Sequence, residues 1–77
     1  MSHQDWMHLA LEQARIAFEL GEVPIGAIVV HKDKVIAIAH NEKELRQDPT
    51  AHAEVLAVRR ATEALGAWRL SEATLYV

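Results

Sequence analysis

The chain has 77 residues, 51% hydrophobic and 25% charged, with a formal net charge of −3; this is the profile of one soluble, compact domain, too short for two. It contains no cysteine, which excludes a disulfide scaffold, a redox pair and any zinc site that draws thiolates from this chain alone. Its eight basic residues form no block beyond Arg59-Arg60, so charge gives no independent argument for a nucleic-acid surface.

Ser2-His3-Gln4-Asp5 has the form of a helix capping box, and Met7, Ala10, Leu11, Ala14, Ala17 and Phe18 follow at helical spacing. Gly21 suits the stop of that helix. Pro24 then precedes Ile25-Gly26-Ala27-Ile28-Val29-Val30, an apolar, β-branched run expected of a strand covered on both faces. His31-Lys32-Asp33-Lys34 reads as a turn and Val35-Ile36-Ala37-Ile38-Ala39 as a second covered strand, together an antiparallel hairpin. Asn41 to Thr50 is polar and reads as irregular, with Asp48-Pro49 disfavouring helix before Thr50.

Thr50 is placed to cap a second helix with an apolar stripe of Ala51, Val55, Val58 and Leu65, and Gly66 just past its end. Trp68 reads as a packing residue between that helix and the next strand. Thr74-Leu75-Tyr76-Val77 is β-rich, and a strand reached through a helix is expected to pair in parallel by a right-handed crossover. The order α-β-β-α-β gives an α/β class with helices on both faces of a mixed sheet. Nothing at the start has the form of a signal peptide and no apolar run is long enough to span a membrane, so a cytoplasmic location without a membrane partner is expected.

Two tripeptides, His40-Asn41-Glu42 and His52-Ala53-Glu54, have the His-x-Glu form found in zinc deaminases. Alone the pattern is weak. On a regular helix, residues two apart point to opposite sides, so His52 and Glu54 are expected to take different roles rather than share one ion. The longer context is more specific. Glu22-Val23-Pro24-Ile25-Gly26-Ala27, Asn41, Asp48-Pro49-Thr50-Ala51-His52-Ala53-Glu54, Trp68-Arg69-Leu70 and Thr74-Leu75-Tyr76-Val77 stand in an order and spacing that resembles the bacterial tRNA-specific adenosine deaminases, a branch of the zinc-dependent cytidine deaminase superfamily.

The resemblance implies a cytidine-deaminase-like α-β-α layered fold, with residues 1–77 as the N-terminal part of a single deaminase domain. It implies hydrolysis of adenosine to inosine at the wobble position of a tRNA anticodon arm. His52 would be a Zn2+ ligand, Glu54 the general acid/base, Asn41 a base contact, and Val23 and Ala27 part of the base pocket. The family's Pro-Cys-x-x-Cys motif is absent, so two further ligands would come from elsewhere, since a catalytic zinc takes three protein ligands, and the chain is expected to be inactive without the Cys-containing remainder; His31 and His40 match no ligand spacing that would replace them. The family also implies a homodimer, and the missing motif leaves room for a complementing C-terminal fragment. The alternatives are a guanine or cytidine deaminase of the same superfamily, or a non-catalytic assembly module that pairs through its open third strand.

Overall fold

The computed structural model describes residues 1–66 and 71–77; the Trp68-Arg69-Leu70 motif, and with it the expected packing role of Trp68, lies outside the described residues. The elements run α1 (His3–Glu19), β1 (Gly26–His31), β2 (Lys34–His40), α2 (Lys43–Arg46), α3 (Ala53–Leu65) and β3 (Ala73–Tyr76). No helix among the described residues is long and apolar enough to cross a membrane.

The capping box forms as read: Ser2 Oγ accepts from the Asp5 N–H and the Ser2 N–H donates to Asp5 Oδ2 at 2.8 Å, satisfying orphan donors at the start of α1. The helix ends where Gly21 takes φ of +81° and the Glu22 N–H closes back on the Ala17 carbonyl at 2.9 Å. The buried stripe, however, is Trp6, Ala10 and Ala17, while Met7, Leu11 and Phe18 of the expected stripe are exposed, Phe18 by 68%. Small residues set this phase. A Cβ built on Gly26 would strike the backbone of Ala10 and Ala14 and the Gln13 side chain, so α1 lies directly on the start of β1, and only a face carrying Ala10 and Ala14 approaches that closely.

β1 and β2 form the expected antiparallel hairpin, from Gly26 opposite His40 to His31 opposite Lys34, with a register irregularity between Val29 and Val30. Lys32 and Asp33 at its tip have φ of 50° and 61°, the all-positive geometry of a tight hairpin turn. Asp33→Gly is therefore expected to stabilise the chain by about 0.5–1 kcal/mol, read as a raised urea midpoint.

β1 is buried almost throughout, as a strand covered on both faces must be, but β2 is not: Ile38 is 49% exposed. The difference follows from the strand order β2-β1-β3, which leaves β2 at an edge. Alternation along β1 divides the core. Ala27 and Val29 pack with Ala37, Ala39, Leu56, Ala57 and Ala61 on the α3 side, while Ile28 and Val30 pack with Trp6, Ala10 and Tyr76 on the α1 side. The layering is thus α-β-α, as expected.

β3 departs from the expectation. It pairs with β1, antiparallel, with Ile28 opposite Tyr76 and His31 opposite Ala73. β2 and β3 run the same way, as a crossover through α3 requires, but β1 lies between them. β1 offers the free edge on that side, and the position lets Tyr76 complete the cluster under α1, where its hydroxyl hydrogen-bonds His3 Nδ1.

Candidate active site

α3 begins at Ala53 with His52 as N-cap, not at a helix capped by Thr50. Thr50 instead gives both its N–H (2.9 Å) and its hydroxyl (2.7 Å) to Asp48 Oδ1. These bonds hold the Asp48 carboxyl below the usual carboxylate range, the Thr50 hydroxyl acting most strongly. The buried face of α3 is Ala53, Leu56, Ala57 and Ala61; Val55 and Val58 face outward. Ala51 is buried as expected but stands before the helix, and starting α3 at Ala53 places the residues three, four and eight positions on against the sheet.

The first free N–H of α3 is satisfied from a distance. Asn41, 2% exposed at the end of β2, accepts the Ala53 N–H on Oδ1 at 2.8 Å, and its own N–H donates to the Ile25 carbonyl at 3.0 Å. The side chain therefore does for α3 what an N-cap residue does locally. Asn41→Ala removes the acceptor and leaves a buried donor unmet, with an expected loss of about 1–2 kcal/mol. Thermal unfolding should show it as a clear drop, since each kcal/mol shifts Tm by about 4–8 °C in a domain of this size.

The expected divergence of His52 and Glu54 does not occur: His52 Nδ1 lies 4.0 Å from Glu54 Oε1. His52 has extended backbone angles, φ −78° and ψ 146°, so the opposition of residues two apart on a helix does not apply to a pair straddling the N-cap. Both side chains are partly exposed, yet Glu54 Oε1 is itself buried with no hydrogen-bond partner among the described residues. A buried carboxylate oxygen without a protein donor is costly to hold unpaired.

Of the other expected pocket residues, Ala27 is fully buried in the α3-side cluster, and Val23 is 59% exposed before β1. The described clefts lie elsewhere, such as one of about 170 Å³ between α1 and the start of β1 lined by Met7, Leu11 and Pro24. That cleft is apolar and holds none of Asn41, His52 and Glu54.

The stretch between β2 and α3, expected to be irregular, contains α2. Its first amides are held by a carboxylate 22 and 23 residues away: Glu22, buried, accepts from the Glu44 N–H at 3.2 Å and the Leu45 N–H at 2.8 Å. Neither Glu22 nor Glu42, also buried, stands out by sequence reasoning as part of the site's frame, because their partners are remote or follow only once α2 exists.

The resemblance implied Zn2+ held by His52 together with two cysteines from elsewhere. That expectation is corrected. The sequence has no cysteine, and among the described residues no group of three His, Cys, Asp or Glu side chains converges to hold a metal ion. Among the described residues His52 pairs with Glu54, while His40 turns its Nδ1 to the Asn41 carbonyl at 3.1 Å and His3 is engaged with Tyr76. One imidazole and one carboxylate fall short of the three protein ligands of a catalytic zinc, and no zinc ligand is assigned to this chain.

The model of the MafB19-like deaminase family matches residues 1–77. The chain is 51% identical over 72 residues to a tRNA-specific adenosine deaminase of Bacillus subtilis, covering 94% of this chain and 45% of that one. It is 46% identical over 77 residues to the Aquifex aeolicus protein of the same description, covering 100% and 51%. Among solved structures, one from a study of A-to-I editing by tRNA:A34 deaminases superposes with a TM-score of 0.90 at 49% identity, over 95% of this chain and 56% of that chain. Guanine deaminase from Bacillus subtilis gives 0.94 at 38% identity, over 99% and 49%. The chain thus spans about half the length of the curated relatives it matches. On the match of its whole length, it belongs to the MafB19-like deaminase family, with the resemblance to tRNA-specific adenosine deaminases and the cytidine-deaminase-like fold both holding.

Proposed function

We propose that the chain carries Asn41, His52 and Glu54 of a hydrolytic nucleobase deaminase site, and that the substrate is adenosine in a tRNA anticodon arm, converted to inosine. The observation that carries the reading is the Glu54 carboxylate, with one oxygen buried and unpartnered at the start of α3. Hydrolytic deamination adds water to the amine-bearing carbon and expels ammonia, so adenosine and water become inosine and ammonia. It needs a group that takes two protons in turn from the attacking water, passing the first to the ring nitrogen as the oxygen adds and the second to the amine as the C–N bond breaks. Glu54 is the group to which this role is assigned.

Asn41 Oδ1 is committed to the Ala53 N–H, so its amide N–H groups are what it offers to acceptors on a purine edge. His52 stands beside the carboxylate, its Nδ1 4.0 Å from Oε1, and would orient it. Val23, exposed where the chain enters β1, supplies an apolar edge, and Ala27 supports the floor from the core. The similarity to adenosine deaminases of tRNA favours adenosine in RNA over a free base.

A second reading is guanine deamination, favoured by the TM-score of 0.94 to a guanine deaminase. The same carboxylate chemistry would serve the amine of guanine. Product analysis separates the two: inosine in an anticodon stem-loop, without xanthine from free guanine, supports the first reading. Xanthine formation with no inosine overturns it in favour of the second.

A further inference from the structure

We propose that Glu42 is a positioning residue that fixes Asn41 against the first turn of α3, braced by Arg46 and Arg60. The inference rests on the deaminase reading only for what Asn41 contacts. Glu42 is 9% exposed, a degree of burial that a carboxylate tolerates only when it is paired and hydrogen-bonded. Its Oε1 accepts from Arg46 Nε of α2 at 3.0 Å and its Oε2 from Arg60 Nη2 of α3 at 3.2 Å. Its N–H donates to the Ala51 carbonyl at 2.9 Å, and its carbonyl accepts the Arg46 N–H at 2.9 Å. Arg60 extends the brace to β2, with Nη1 donating to the Ile38 carbonyl at 2.9 Å.

Asn41 is the next residue in the chain. It is tied to Ile25 through its N–H, to Ala53 through Oδ1, and to His40 Nδ1 through its carbonyl. The dipeptide 41–42 is thus gripped from the entry to β1, from β2, from α2 and from both sides of the α3 N-terminus. Without Glu42, the connection from β2 to α3 loses the ion pairs that join α2 to α3, and Asn41 keeps only its own bonds. Fixing such a group before substrate arrives removes the cost of ordering it during binding.

The groups facing the carboxylate have a defined charge: Arg46 from α2 and Arg60 from α3, with β2 presenting the Ile38 carbonyl to Arg60. Burial pushes the Glu42 carboxyl up, and the hydrogen bonds and charges of Arg46 and Arg60 more than reverse this, leaving it below its ordinary value. A carboxyl with a lowered folded value contributes above the unfolded value, and the contribution fades as pH falls through the folded one.

Amide hydrogen exchange by NMR on the full chain tests the brace. In Glu42→Gln the Ala53 amide is expected to exchange about tenfold faster than in the parent, with the Ile28 and Val29 amides of β1 unchanged. The parent should show the same selective loosening on acidification, and Glu42→Gln should not. Arg46→Gln, which removes a half-exposed partner and leaves the fold intact, should give a smaller, few-fold change at Ala53 alone. An Ala53 rate unchanged in both variants, or raised in step with Ile28 and Val29, overturns the proposal. A failed deaminase reading would appear separately, as absence of product from the parent itself, and would leave this readout valid.

Discussion

Glu54→Gln is expected to lower the deamination rate about 10²–10⁴-fold, the usual contribution of a positioned general acid/base, while leaving Tm within experimental scatter. The expectation follows from the environment of the side chain. Oε1 makes no hydrogen bond among the described residues and stands 4.0 Å from His52 Nδ1, so the amide replaces it without breaking an observed structural bond. Gln keeps the shape and removes the proton-carrying capacity. A decrease confined to turnover, with stem-loop binding preserved, assigns the carboxylate to the chemical step. A rate within a factor of about three of the parent would remove Glu54 from the chemistry, since even the low end of the range for acid/base catalysis is about 10².

The largest expected effect on stability is Gly26→Ala. The added methyl would meet the main chain of Ala10 and Ala14 and the Cβ of Gln13, at 2.5 Å for the last. Main-chain atoms of a helix cannot move aside like the end of a side chain, so α1 must lift off β1. That separates Trp6 and Ala10 from Ile28 and Val30. Overpacking of this kind costs about 3 kcal/mol, against a total stability of about 4–12 kcal/mol for a chain of this length. Urea unfolding should show the loss as a lower midpoint with α1 detached first. A midpoint shift equivalent to less than about 1 kcal/mol would mean that the helix does not sit on Gly26 as described.

How far the sequence was legible depended on the range of the interactions. The α1 cap, its Gly21 stop and the hairpin turn were readable because each is decided within a few neighbouring residues: Ser2 with Asp5, Gly21 with Glu22 and Ala17, Lys32 with Asp33. The phase of α1 was legible only in part: Ala10 and Ala17 are buried as expected, but the pattern of Met7, Leu11 and Phe18, which are exposed, is as regular as the one actually buried. The choice was made by Gly26, a partner outside the helix. α2 was invisible for the same reason, its start being held by Glu22. The pairing of β3 depended on which edge of the sheet was free, which the hairpin alone does not reveal.

The site divides in the same way. His52-Ala53-Glu54 and Asn41 were identified by motif order, and the structure brings them together at the α3 N-terminus. Their geometry was misread: helical spacing separates residues 52 and 54, but His52 is the cap and its extended backbone turns it back toward Glu54. The metal was inferred from the resemblance and is not supported by the side chains that converge here. The capping of α3 by Asn41 required the fold, because the two ends of its bond lie 12 residues apart.

The central proposal is that Asn41, His52 and Glu54 belong to a site that hydrolyses the amine of adenosine in RNA. Incubating the protein, alone and mixed with a cysteine-containing C-terminal piece of a family member, with an adenosine-bearing anticodon stem-loop in ¹⁸O-labelled water, followed by mass analysis of the nucleosides, tests it most directly. The account predicts inosine carrying one labelled oxygen, matched by an equal amount of ammonia and absent with Glu54→Gln. Unaltered adenosine in both incubations with folded protein, or inosine formed equally well by Glu54→Gln, would contradict it.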